Sequence, residues 1–149
     1  MRTLLALLAV VLLSGTLAAA PTTTVSTGSA GCMGFPFAPG SYVACVPTSV
    51  SDGSQVQFQF HVTAEDEATE HGVVEGTILF KGAYRPFTGT LDPLLEGYGP
   101  YSATLRGTFT LNGNPASFTQ TVALYRTAPT GRTGIRGWRT YVGPGTIAY

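Results

Sequence analysis

His61, Glu65, Asp66, Glu67, Glu70 and His71 fall within eleven residues of one another. Oxygen-rich loops hold calcium, and histidine with carboxylates holds zinc. Two carboxylates in unlike environments can also do acid/base chemistry. Here no glycine stands where a calcium loop turns sharply, and the spacing fits no metal motif. The stretch therefore reads first as a solvated acidic connection. A metal-dependent enzyme built on His61, Glu65, Asp66, Glu70 and His71 is kept as an alternative. Nucleophilic chemistry has less support. Gly28-Ser29-Ala30-Gly31 only resembles a nucleophile elbow and lacks its strand-to-helix setting. Cys32 and Cys45, the two cysteines, read as a disulfide, which removes a thiolate. No cofactor is expected.

Binding chemistry has two further candidates. Arg132, Arg136 and Arg139 alternate with glycines around Trp138. A tryptophan beside arginines suits an anionic glycan or a membrane surface. The plainer reading is a hairpin with an amphipathic Trp, and export argues against nucleic acid. All eight acids lie between Asp52 and Glu96, whereas Arg106, Arg126, Arg132, Arg136 and Arg139 follow with no acid among them. Mutual neutralisation in the fold is the first reading of that asymmetry, and a basic face the second. Thr88-Gly89-Thr90, Thr108-Phe109-Thr110 and Thr119-Gln120-Thr121 each place two threonines on one strand face. In these three short motifs the chain resembles the threonine ranks of ice-binding β proteins. Solvation of a wet face is the plainer reading, then a glycan or protein contact.

Whatever carries chemistry here must be positioned by a small exported domain. Met1-Arg2-Thr3 precedes an apolar run from Leu4 to Leu13, and Ala18-Ala19-Ala20 follows. That is the basic, apolar and small-residue order of a secretory signal, and the run is shorter than a spanning helix. Residues 1–20 are read as a cleaved signal, which places the protein outside the cytoplasm: periplasmic, cell-surface or secreted. Residues 21–40, rich in Thr, Ser, Gly and Pro, read as a flexible leader. Residues 41–149 read as one domain. Charged residues are 11% of the chain, so hydroxyls do much of the solvating.

Strand signals dominate the domain. Gln55 to Thr63 alternates without a fault, with Val56, Phe58, Phe60 and Val62 on one face. Ala64 to Gly72 then reads as an exposed loop. Two hairpin units follow, about 73–91 and 104–122, and they align at a constant offset of 31: Gly76 with Gly107, Gly82 with Gly113, Phe87 with Phe118. Asn112-Gly113 is a strong two-residue hairpin turn. A last strand or two runs through Trp138 to Tyr149. The expectation is an all-β antiparallel meander of about seven or eight strands, closed as a small barrel, with a β-sandwich as the alternative.

The functional expectation is a non-enzymatic structural or binding module of the cell envelope. Its partner would be an envelope protein, an anionic glycan or a membrane surface. The alternative is a carrier of a small apolar ligand. The phenylalanines decide between them, because they either fill a narrow barrel or line the pocket of a wide one.

Overall fold

The structure is a computed structural model that describes residues 20–34, 40, 42–66, 68–69, 71–93, 101–126 and 138–149. The signal segment, but for Ala20, lies outside the described residues. The strands are β1 (Thr24–Thr27), β2 (Ala30–Gly34), β3 (Tyr42–Cys45), β4 (Thr48–Ser49), β5 (Gln55–Asp66), β6 (His71–Phe80), β7 (Ala83–Asp92), β8 (Tyr101–Leu111), β9 (Asn114–Arg126) and β10 (Trp138–Ala148). Every pairing is antiparallel.

Two pairs of short strands each act as one interrupted stave. β1 and β2 both pair with the same edge of β10, and β3 and β4 both pair with β5. Counted this way there are eight staves in sequence order. β10 also pairs with β9, so the sheet closes into a barrel. That closure excludes the sandwich.

An eight-stranded barrel is just wide enough for side chains to fill it. Phe58, Phe60, Phe80, Phe87, Phe109 and Phe118 all point inward and are buried. Their rings meet at centroid separations of 5.0 Å (Phe58–Phe118), 4.9 Å (Phe87–Phe118) and 6.3 Å (Phe80–Phe109). Such tilted and edge-on contacts suit the ring quadrupoles. Space for the rings comes from Gly107, an inward position of β8: a Cβ there would lie 2.4 Å from Phe118 Cζ.

The two hairpin units share more than composition. β6–β7 and β8–β9 have the same register, Gly76 opposite Phe87 and Gly107 opposite Phe118. Both turns are left-handed at both central residues: Lys81 (φ 49) with Gly82 (φ 76), and Asn112 (φ 53) with Gly113 (φ 83).

Two expectations need correction. The stretch 21–40 is not wholly a leader, because β1 and β2 complete the wall there, and the domain does not begin at 41. Ala64 to Gly72 is not wholly a loop, because β5 and β6 stay paired out to Asp66 and His71. A bulge between Val62 and Ala64 shifts the register and ends the faultless alternation, which hides the continuing strand.

Candidate binding surface

Because the interior is filled, side chains available to a partner stand on the outer wall. Register aligns them in rows across the staves. One row runs Tyr42, His61, Glu75, Thr88, Thr108, Ser117. On one side of it lies Gln59, Thr77, Pro86, continued by Thr110 and Pro115. On the other lies Val73, Thr90, Arg106, Thr119, Thr146. Between the rows the wall sinks into shallow depressions, floored where inward glycines and phenylalanines show only backbone to solvent.

All six threonines of the Thr-X-Thr motifs face outward, as alternation requires. They do not form one flat rank. Thr88 stands opposite Thr108, but Arg106 separates Thr90 from Thr119, and Thr121 pairs with Thr104. A cationic side chain in the middle of a rank removes the uniform spacing on which the ice-binding resemblance rests.

The acidic cluster is dispersed. His61 sits mid-wall opposite Tyr42 and Glu75, while His71 stands opposite Asp66 at the far end of the hairpin. Five steps along the strand separate His61 from Asp66, about 16 Å at the usual rise. Glu65 is exposed beside Asp66 on that extension, and Glu70 lies outside the described residues. Among the described residues no three His, Cys, Asp or Glu side chains gather as a metal site. The hydroxyl of Thr69, then the amide of Ala68, hold the Asp66 carboxyl below its ordinary range.

Among the described residues the charge halves meet at Asp92. The Asp92 carboxylate takes Arg106 at 3.3 Å on one oxygen and His71 Nε2 at 3.2 Å on the other. Arg106 is thus partly neutralised rather than offered as part of a basic face. Arg139 is exposed on β10 opposite Tyr125, and the Tyr125 and Tyr141 rings pack edge-on at 5.8 Å. Trp138 enters as backbone paired with Arg126. Arg132 and Arg136 lie outside the described residues.

The sequence reading missed the tyrosines of the wall. Tyr42 and Tyr84 are both more than half exposed. Each donates its hydroxyl to a glutamine on β5, Tyr42 to Gln59 Oε1 at 3.2 Å and Tyr84 to Gln57 Oε1 at 3.0 Å. Gln57 in turn donates to the Cys45 carbonyl at 2.8 Å. The glutamine alternation was visible in the sequence, but glutamine is ordinary on a wet strand face. Only the register shows that tyrosines reach it.

Fold and wall together define a closed, side-chain-filled antiparallel barrel with a polar, hydroxyl- and amide-rich exterior. No family model, curated protein or solved structure matches the chain.

Proposed function

We propose that this protein is a non-enzymatic binding module of the cell envelope that engages its partner on the outer wall of the barrel. The filled interior carries this reading. Six buried phenylalanines occupy the space that a carrier would give to an apolar ligand. Export is supported by the N-terminal signal pattern and by the Cys32–Cys45 disulfide, a bond of oxidising compartments. The wall supports binding through neutral groups, since threonine, serine and glutamine predominate across β5 to β9.

The test is a native mass spectrum of the mature protein purified from its own host, with a titration against cis-parinaric acid. An apo mass two hydrogens light, with no fluorescence uptake, fits the outer-wall module. A stoichiometric apolar guest would restore the carrier, and a bound metal would restore the acidic-cluster enzyme.

A further inference from the structure

Two shallow, open depressions on the outer wall adjoin at Pro86, Phe87 and Thr88, which line both, and end to end they make a channel. It crosses β3, β5, β6, β7, β8 and β9. Five inter-strand steps at the usual spacing make it about 24 Å long, measured along the curved wall. Tyr42, His61, Glu75, Thr88 and Thr108 form one bank; Gln59, Thr77, Pro86 and Thr110 form the other. We infer that this channel binds a linear, neutral glycan laid across the strands. The inference rests on the outer-wall reading and gives it a substrate class.

The lining chemistry selects that ligand. Hydroxyls and amides both donate and accept, as sugar hydroxyls do, and here they recur along both banks. Tyr42 is 53% exposed, and its hydroxyl is anchored on Gln59, so the ring stands fixed at one end of the channel. A fixed aromatic face is a platform for the apolar face of a pyranose, and it loses little conformational freedom on binding. Gln59 lines the same space, and among the described residues its amide nitrogen has no protein partner.

Charge argues against an anionic chain. Glu75 contributes a carboxylate to the bank. Arg85, the cation at the border, turns its guanidinium to the carbonyls of Phe80 and Ala83. Closure argues against a peptide docked as an added strand, because that mode needs a free sheet edge and the staves are paired all round.

The experiment is affinity electrophoresis of the mature protein in gels containing hydroxyethyl cellulose, galactomannan, xyloglucan or dextran, with heparin as the anionic probe. At least one neutral chain should retard the wild type. Thr88→Arg, which lays a long charged side chain in the channel, and Tyr42→Ala should each weaken that retardation at least tenfold. Tyr42→Phe, which keeps the ring but loses its anchor, should weaken it less than Tyr42→Ala, and Arg139→Ala should keep all of it, with melting temperatures confirming that every variant is folded. Retardation by heparin alone, or by none of the polymers, overturns the inference. Neutral-chain binding that survives both Thr88→Arg and Tyr42→Ala also overturns it, yet leaves the outer-wall reading standing. An apolar guest in the native mass spectrum removes both.

Discussion

Gln120 stands inside the barrel, 1% exposed, where its neighbours along β9 are Phe118 and Val122. Its Oε1 accepts the Thr27 hydroxyl at 2.7 Å, and among the described residues its Nε2 has no partner. A buried polar pair broken on one side costs about 1–3 kcal/mol, whereas replacing both partners by apolar groups of like shape is nearly neutral. Thr27→Val alone should therefore destabilise by about that amount, and Thr27→Val with Gln120→Leu should return close to wild type, read from urea midpoints. Gly107 makes the opposite demand. Its missing side chain is where the Phe118 ring lies, and a Phe87 ring carbon is 3.0 Å from the same point. Both rings are buried and packed against each other, so Gly107→Ala should cost about 1–3 kcal/mol by overpacking, visible as a lower Tm. Alternation made the facing of the threonines and phenylalanines legible from sequence. It did not reveal Gln120 or the role of Gly107, because period two tells which way a position points and not whether the residue there finds a partner or a void.

The strands that sequence resolved are the long ones with a buried face. β5, β8 and β9 alternate over enough residues to fix their phase, while Lys81-Gly82 marks the turn from β6 to β7 and Asn112-Gly113 that from β8 to β9. The missed strands β1 and β2 are four and five residues of mostly small or polar type, and pairing with β10, and for β2 also with β3, makes them strands. Local pattern cannot carry a tertiary cause. One hairpin tip adds an electrostatic clasp. Lys81 Nζ meets Asp52 Oδ2 at 2.8 Å and lies 4.9 Å from the Tyr149 ring centroid. Lys81, then Ser54, hold the Asp52 carboxyl well below its usual range; Asp52, then Tyr149, raise the Lys81 ammonium. A depressed carboxylate stabilises above its unfolded pKa and loses that contribution as pH falls toward the folded value. A raised ammonium stabilises below its unfolded pKa and loses that contribution as pH climbs through the folded value. The clasp is thus at full strength between about pH 4 and pH 10. Lys81→Met should flatten the loss of stability below pH 4 in urea titrations, while the depressed Asp66 contributes alike to both proteins. Across β2 and β3, Cys32 and Cys45 close a loop of sequence separation 13. Replacing both by serine should cost about 3 kcal/mol if restriction of the unfolded chain is the cause, again read from urea midpoints.

Closure of the whole barrel depends on one seam. β10 offers one edge to β9 and the other to β2 and then β1, changing partner at its middle. Both sides of the seam break at the same level: Gly28 and Ser29 separate β1 from β2, and Gly143-Pro144 interrupts the register of β10 against β9. Gly143 has φ 100, and a Cβ there would lie 2.3 Å from the Gly28 carbonyl oxygen, so the two kinks nest only because no side chain intervenes. Beyond the kink, Thr23 and Tyr149 exchange backbone hydrogen bonds, both at 2.8 Å, and extend the seam past the named strands. The stretch that composition marked as a leader is therefore the strip that seals the molecule. Without it, β10 on one side and β3 on the other keep unpaired edges, and unpaired edges template association. A chain starting at residue 41 also loses Val25 and Ala30 from the core and the disulfide partner of Cys45. It should elute as aggregate, or fail to give a cooperative urea transition, whereas a chain starting at residue 21 should elute as a folded species. A cooperative, monomeric protein from residue 41 onward would show that seven staves can close without the first, and that the β1–β2 strip is an accessory to the barrel.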